Sequence, residues 1–226
     1  MPTHDHAVRF NAGSVYLEGD VSIPADATGI VLFVHGSGSS RHSPRHQFVA
    51  GNLRAQGLGT VLMDLLTRSE ERADQFTGHL RFDISFLARR VIAVVDELRE
   101  QSTLPLGLFG ASTGAAASLV VAASREEHVR AVVSRGGRPD LAGNALVDVR
   151  APTLLIVGGE DHEVIGLNRK AMARMTVEAR IEIVPGASHL FHEAGALETV
   201  AHLAADWFTT HLPPTTNHQP MEGDTA

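Results

Sequence analysis

The chain has 226 residues, 43% of them hydrophobic, and a mean hydropathy of +0.01, which is typical of a soluble globular protein with a sizeable core. Its formal net charge of -7 excludes the basic surface that nucleic-acid binding requires, so we predict no nucleic-acid partner. The absence of cysteine excludes disulfides, thiolate zinc sites and a cysteine nucleophile. Without a signal-peptide core or a run of about 20 apolar residues, we predict a cytoplasmic protein with no membrane partner.

The first half of the chain alternates between strand and helix patterns. Apolar and polar residues alternate over Ser14–Ile23, which predicts a strand or a hairpin broken at Glu18-Gly19-Asp20. Continuous apolar runs then indicate strands buried on both faces of a parallel sheet. The predicted elements are a strand at Gly29–Val34, a helix at Pro44–Gln56, a strand at Gly59–Asp64, a polar surface connection at Thr67–Thr77 and a helix at Phe82–Glu100.

The second half repeats the alternation. Its predicted elements are strands at Leu104–Phe109, Val129–Ser134, Thr153–Val157 and Ile181–Val184, and helices at Ser112–Ser124, Ile165–Thr176 and Leu197–His211. This order predicts an α/β fold with a doubly wound, mostly parallel sheet of about eight strands in a single domain, residues 1–212. The link between the Val129 and Thr153 strands is too short for a lid domain. The polar residues 213–226, Pro213 to Ala226, are predicted to form a disordered tail.

A Gly-x-Ser-x-Gly motif, Gly110–Gly114, lies between a buried strand and an alanine-rich helix. Strand, sharp turn and helix is the setting in which this motif forms a nucleophile elbow. The following helix directs its positive N-terminus at the serine oxygen, where it would stabilise a developing negative charge. Ser112 is therefore the candidate nucleophile.

A candidate acid and a candidate base follow two later strands. Ligands bind at the carboxyl ends of strands in open α/β sheets, and Asp161 and His189 lie just beyond two such ends. His189 would accept the Ser112 proton, and Asp161 would hold the imidazole in the required tautomer. The histidine has rivals in His162 and His192, and the acid has rivals in Glu160, Glu163 and Asp140.

Two backbone amides are candidate oxyanion donors. One belongs to Thr113, directly after the nucleophile, and the other to the His35–Ser40 loop, with Ser37 favoured over Gly38. His35 itself is interpreted as ordering that loop from within the core. Gly36-Ser37-Gly38 resembles a dinucleotide-binding loop, but Arg41 occupies the place of its third glycine, so we predict no cofactor.

Four arginines follow predicted strands near the same edge. Arg135 and Arg138 are candidate substrate-binding residues, because arginine can grip a carboxylate with two hydrogen bonds. The alternative is that these arginines pair with structural carboxylates such as Asp64, Glu70 or Asp140. For Arg41 and Arg45 we favour that structural pairing. A metal site at His4-Asp5-His6 is disfavoured because the segment is expected to fray, so no metal is predicted.

These motifs resemble those of the α/β-hydrolase superfamily over Val8–His211, and most of all its small, lidless dienelactone-hydrolase-like branch. The motifs that carry the likeness are His35-Gly36, Gly110-Ala111-Ser112-Thr113-Gly114, Gly159-Glu160-Asp161-His162-Glu163-Val164 and Gly186-Ala187-Ser188-His189. True dienelactone hydrolases have a cysteine where this chain has Ser112, and the serine favours plain ester hydrolysis.

The resemblance implies a serine hydrolase that cleaves carboxylic esters through an acyl-enzyme. The absence of a lid favours small, soluble substrates, short-chain acyl esters or lactones, and a small-molecule ester is the expected partner. Thioesterase or acyltransferase activity through the same residues is an alternative, and so is a non-catalytic binding module. The oligomeric state is expected to be a monomer or a homodimer.

Overall fold

The computed structural model describes the backbone of residues 3–213 and the side chains of residues 6–213. The predicted tail lies outside the described residues apart from Pro213. The side chains of His4 and Asp5, which belong to the disfavoured metal motif, also lie outside them.

Eight strands form a single, mostly parallel sheet in the order β1-β2-β4-β3-β5-β6-β7-β8. Strand β1 pairs antiparallel with β2, β2 pairs antiparallel with β4, and the other pairings are parallel. The strands are β1 (Thr3–Asn11), β2 (Tyr16–Pro24), β3 (Gly29–Val34), β4 (Leu58–Met63), β5 (Leu106–Ala111), β6 (Val129–Arg135), β7 (Thr153–Gly158) and β8 (Ala179–Val184). The predicted fold class is thereby confirmed.

Helices cover both faces of the sheet, which explains why its central strands are continuously apolar. In β3, Leu32 packs into the core on the α4 and α5 side, whereas Phe33 packs into the core on the α1 and α7 side. The helices are α1 (Pro44–Ala55), α2 (Arg68–Thr77), α3 (His79–Phe82), α4 (Ile84–Gln101), α5 (Thr113–Ser124), α6 (His162–Met172) and α7 (Ala196–His211), with a 3₁₀ segment at Pro139–Val147.

The N-terminal region differs from the prediction. Residues Thr3–Asn11 form β1, paired along their length with β2, and β2 runs through Glu18-Gly19-Asp20 without a break. Gly19 is needed there for close packing, because a Cβ would lie 2.6 Å from the Phe10 ring. The predicted hairpin break is therefore wrong: the glycine makes room for an aromatic side chain in the middle of a strand.

The polar connection predicted at Thr67–Thr77 is also different, because most of it forms helix α2. Thr67 and Glu70 form a reciprocal capping box, in which the Thr67 hydroxyl accepts from the Glu70 amide and the Glu70 carboxylate accepts from the Thr67 amide. Gly78 ends the helix in the left-handed conformation. The Thr-x-x-Glu signal for this capping box is present in the sequence. Helix α2 stands beside the His35–Ser40 loop.

Helix α6 also begins earlier than predicted, at His162, with Asp161 as its N-cap residue. Within the described residues, every helix is too short or too polar to cross a membrane.

Candidate active site

Ser112 occupies a strained turn between β5 and α5. Its backbone has φ 50° and ψ −122°, a conformation that costs a non-glycine residue about 1–3 kcal/mol. Its amide donates to the Arg135 carbonyl (3.3 Å), and its carbonyl accepts from the amides of Ala115 and Arg138, both at 3.1 Å. Neighbouring elements therefore hold the strained residue on both sides, as expected of a nucleophile elbow.

The two motif glycines allow the backbone to pack closely around this turn. A Cβ on Gly110 would lie 2.5 Å from the Ala115 Cα, and one on Gly114 would overlap the Val34 carbonyl oxygen and lie 2.5 Å from that of His35. Any side chain at either position would push α5 away from β3 or β5. The motif is thus explained by packing as well as by the turn itself.

His189 and Asp161 meet at the carboxyl edge of the sheet. His189 Nδ1 lies 2.6 Å from Asp161 Oδ2, with side-chain exposures of 40% and 16%. Asp161 is the N-cap residue of α6, yet its carboxylate makes no capping hydrogen bond to the helix. The carboxylate is therefore free to accept from the imidazole and to fix its tautomer.

Ser112 Oγ makes no hydrogen bond to His189 in the described part of the chain. The two residues nevertheless lie on neighbouring segments. Ser112 is hydrogen-bonded to Arg135 at the end of β6, and a Cβ on the next residue, Gly136, would lie 3.0 Å from the His189 carbonyl oxygen. Hydrogen bonds between a nucleophile and its base are often long in a free enzyme and shorten when substrate binds.

The rival residues lie in other environments. His162, His192, Glu160 and Glu163 are all exposed. Asp140 accepts two hydrogen bonds from Arg138, at 2.8 and 2.7 Å. Among the candidates weighed in the sequence, Asp161 and His189 are the acid and the histidine that the structure brings together.

The two candidate oxyanion donors are neighbours. Thr113 is the first residue of α5, so its amide has no acceptor within the helix. The Ser37 amide donates to Thr113 Oγ1 at 3.1 Å. No motif in the sequence indicates this contact of the Thr113 hydroxyl, which holds the Ser37 amide beside the helix N-terminus. An oxyanion would compete with the hydroxyl for that donor.

His35 ties the His35–Ser40 loop to the segment after β4. Its Nδ1 donates to the Gly36 carbonyl at 2.9 Å, and its Nε2 accepts from the Leu65 amide at 3.1 Å. Burial lowers the pKa of the ring below its ordinary value, which favours the neutral form that these two bonds require. The contacts agree with the interpretation of His35 as a residue that orders the loop.

A cavity of about 280 Å³ opens beside the same loop. Its wall is formed by the loop, the residues after β4, helix α2 and one residue each from α3 and α4. The carboxylate of Asp74 in this wall is buried and binds Arg81 at 2.6 Å. The Leu87 side chain adds an apolar surface.

The four arginines separate into two groups. Arg41 forms ion pairs with Glu18, Asp20 and Asp64, as the structural interpretation predicted. Arg138 binds Asp140 with two hydrogen bonds, so its guanidinium is already neutralised.

The other two arginines, Arg45 and Arg135, make no ion pair and no side-chain hydrogen bond within the described part of the chain. For Arg45 the favoured pairing with a structural carboxylate is therefore wrong. Among the residues whose side chains are described, no cluster of three or more histidines and carboxylates could hold a metal ion.

The sequence profile of the dienelactone hydrolase family matches residues 20–211. Two curated relatives, from Mycobacterium tuberculosis strains CDC 1551 and H37Rv, are 52% identical over 214 residues and carry the provisional name phosphoribosyl transferase. The match covers 93% of this chain but 47% of each relative, so the chain spans about half their length.

Solved structures show the same fold. A dienelactone hydrolase from Anabaena variabilis is 53% identical, with a TM-score of 0.91 over 94% of this chain and 100% of that chain. Est1E from Butyrivibrio proteoclasticus is 13% identical, with a TM-score of 0.76 over 91% of this chain and 98% of its own. A dienelactone hydrolase-like promiscuous phosphotriesterase, P91, is 16% identical, with a TM-score of 0.75 over 93% and 99%. At these low identities the last two support the fold alone.

Proposed function

The chain belongs to the dienelactone hydrolase family, and from this premise we propose that it is a serine hydrolase that cleaves carboxylic esters through an acyl-enzyme on Ser112. The observation that carries the proposal is the 2.6 Å contact of His189 Nδ1 with Asp161 Oδ2 beside a serine held at φ 50°. A histidine oriented by a carboxylate, near a half-buried serine in a strained turn, is the arrangement that activates a hydroxyl nucleophile.

The reaction proceeds in two halves. His189 Nε2 accepts the Ser112 proton while Oγ attacks the ester carbonyl, and the imidazolium then donates that proton to the departing alkoxide. Water, deprotonated by the same imidazole, attacks the acyl-enzyme, and the imidazolium returns the proton to Ser112 Oγ as the acid leaves. Asp161 stays ionised and stabilises the positive imidazolium in both halves.

The tetrahedral intermediate requires donors for its negative oxygen. The Thr113 amide, at the positive end of α5, supplies one, and the Ser37 amide supplies the second by exchanging its bond to Thr113 Oγ1 for a bond to the oxyanion. Loss of one such donor costs about 3 kcal/mol in the transition state.

The dimensions of the site favour small substrates. The cavity beside the Ser37 loop, about 280 Å³, is just below the range for small-molecule sites and would suit no more than a short acyl chain or a lactone. The helices beside it, α2 and α3, form its wall and are too small to make a covering domain over a long lipid chain.

The test compares the wild type with Ser112→Ala on p-nitrophenyl acetate, with folding checked by circular dichroism. Wild type should hydrolyse the ester and Ser112→Ala should fall to the background rate. The matched control Ser124→Ala, at the far end of the same helix, should keep full activity. Equal turnover by wild type and Ser112→Ala would refute the proposal.

A fluorophosphonate probe followed by peptide mapping gives an independent readout. Labelling of Ser112 supports the acyl-enzyme. Labelling of another residue, or none at all, supports the alternative of a non-catalytic binding module. A thioester and an added acyl acceptor, tested with the same pair of proteins, distinguish ester hydrolysis from thioesterase and acyltransferase activity.

A further inference from the structure

Two non-glycine residues in the described part of the chain have a positive φ, and both belong to the candidate active site or its surroundings. One is Ser112, at φ 50°, and the other is Phe191, at φ 55°, two residues beyond His189. A bulky side chain is rare in this conformation, which persists only where the surrounding structure enforces it. Strain of this kind is concentrated at functional sites, where the backbone holds a reacting group in place.

The loop that carries His189 is attached to the core by one side chain. Between the buried residues Ala187 and Ala196, Phe191 is the only buried residue, with 2% of its surface exposed. His189 lies in the part of the loop before it, and 40% of its side chain is exposed. The Phe191 ring belongs to the core that α1 and α7 cover. Burying one aromatic side chain stabilises the fold by about as much as one left-handed residue costs, so the buried ring maintains the conformation.

A hydrogen bond across a turn couples the backbone of Phe191 to that of His189. The Phe191 amide donates to the Ser188 carbonyl at 3.1 Å, so the turn closes around His189. The other end of this turn is held by Ala187, whose carbonyl accepts from the Glu160 amide in the loop of the candidate acid, at 3.0 Å. The exposed histidine therefore lies between two residues that are fixed to the rest of the domain.

The rings of Phe191 and His189 lie against the same residue, Gly136, just after β6. A Cβ on Gly136 would lie 3.4 Å from Phe191 Cε2 and 3.6 Å from His189 Cε1. The Gly136 amide donates to a β7 carbonyl at 2.8 Å, and the carbonyl of the residue before it accepts from the Ser112 amide at 3.3 Å. The surface against which both rings pack is thus fixed to the sheet and to the nucleophile elbow.

We propose that Phe191 is a positioning residue for His189. Its buried ring anchors the exposed turn against Gly136 and thereby holds the imidazole within reach of both Asp161 and Ser112. The ring acts through the backbone of the turn and does not touch the substrate, because it is buried in the core. The inference rests on the proposed ester hydrolysis and deepens it by adding a residue that sets the geometry of the base.

The place of His189 in the reaction explains why Asp161 alone does not position it. Asp161 contacts Nδ1 at 2.6 Å and so fixes one side of the imidazole. The proton transfers of the proposed mechanism take place at Nε2, on the opposite side of the ring. Among the described residues, Ser112 Oγ makes no hydrogen bond to His189. The position of Nε2 therefore depends on the turn that carries the ring, and Phe191 anchors that turn.

Steady-state kinetics of Phe191→Ala and Phe191→Leu on p-nitrophenyl acetate test this role. Phe191→Ala removes the anchor and should lower kcat by about tenfold to a hundredfold, because a displacement of about 1 Å in a reacting group costs up to about a hundredfold. KM should change by less than about twofold, because the ring does not touch the substrate. Phe191→Leu keeps a large apolar side chain and should recover most of the lost kcat. An unchanged kcat in Phe191→Ala, or a loss that lies in KM, would overturn the proposal.

Two further variants separate positioning from core packing. Phe191→Gly also removes the anchor, but the positive φ costs a glycine nothing, so this variant should fold and lose kcat even if Phe191→Ala misfolds. Phe208→Leu is the packing control, because Phe208 is buried in the same core beside Gly107, about 16 Å along β5 from Ser112. It should lower the Tm and leave kcat unchanged. A fall in kcat in Phe208→Leu as large as that in the Phe191 variants would assign the effect to the core and overturn the proposal.

The proton that His189 Nδ1 shares with Asp161 gives a readout that needs no substrate. The 2.6 Å contact should produce a downfield resonance in the proton NMR spectrum of the wild type, recorded at low temperature to slow exchange with water. This resonance should broaden or disappear in Phe191→Gly and remain in Phe208→Leu. An unchanged resonance in Phe191→Gly would overturn the proposal. A wild type that is inactive on esters but shows these NMR differences would refute ester hydrolysis and still support the positioning of His189 by Phe191.

Discussion

Neutralising Glu70 should loosen helix α2 from the body of the domain in a pH-dependent way. The Glu70 carboxylate receives two hydrogen bonds from Arg90 of α4, at 2.6 and 2.8 Å. Arg90 is buried, with its guanidinium 4.2 Å from the centre of the Phe86 ring and bonded to the Leu65 carbonyl at 2.7 Å. This bidentate pair joins α2, which walls the cavity, to a core helix.

The size of the effect follows from the pKa of Glu70. Hydrogen bonds from Arg90 lower the pKa of Glu70 from 4.5 to about 2. Burial opposes this shift, and hydrogen bonds with Thr67 add to it. Without solvent screening, that pKa difference corresponds to about 3 kcal/mol of folding stability. One quarter of the Glu70 side chain is exposed, and screening by solvent reduces the contribution to about 2 kcal/mol. Because the pKa is lower in the folded state, the stabilisation is complete above pH 4.5 and is lost as the pH falls towards 2.

Urea denaturation of wild type and Glu70→Gln at pH 7 and pH 3 measures this effect. Glutamine can still cap the Thr67 amide, so the variant isolates the charge. We expect a loss of about 2 kcal/mol at pH 7 and less than half of that at pH 3. The control Glu71→Gln removes an exposed carboxylate without an ion pair in the described structure and should change little. A difference that is equal at both pH values would refute the reasoning.

Three further substitutions test the candidate active site. Asp161→Asn should lower kcat for p-nitrophenyl acetate by about 10³- to 10⁴-fold, because the amide favours the wrong tautomer of His189. Thr113→Val should lower kcat about tenfold with little change in KM, because the Ser37 amide loses the hydroxyl that positions it. Gly114→Ala should reduce the free energy of unfolding in urea by about 3 kcal/mol, because its Cβ would overlap two backbone oxygens.

Each of these variants has a matched control. Glu163→Gln removes an exposed carboxylate two residues from Asp161 and should keep full activity. Thr113→Ser retains the hydroxyl and should restore kcat. Ala115→Gly should cost only about 1 kcal/mol from helix propensity. Full activity in Asp161→Asn would contradict the role of Asp161 in orienting His189. Equal rates in Thr113→Val and Thr113→Ser would contradict the role of the hydroxyl. A Gly114→Ala protein as stable as wild type would contradict the packing argument.

The buried half of the sheet could be predicted because its strands are apolar on both faces. Strand β3 was predicted with the bounds that the structure shows, Gly29–Val34, and β7 within one residue. In such a sheet the parallel strands end at the same edge, so the residues that follow them lie along that edge. The positions of Ser112, Asp161 and His189 at that edge could therefore be inferred without knowing the packing of any helix.

The N-terminal edge could not be predicted by the same reasoning. Strand β1 is polar on its exposed face, so its pattern resembles that of a loop, and only its pairing with β2 makes it a strand. Gly19 was interpreted as a break because a glycine in a strand pattern often marks a turn. The Phe10 ring that requires it is nine residues away and on another strand.

Whether an arginine forms an ion pair depends on residues that are distant in sequence, as Arg41 and Arg45 show. Arg41 and Arg45 lie four residues apart in one segment, and their sequence context is similar. Asp64, 23 residues beyond Arg41, neutralises one of them, and no carboxylate in the described structure reaches the other. The pairing of Arg41 therefore depends on a carboxylate that is distant in sequence, which the residues around either arginine do not reveal.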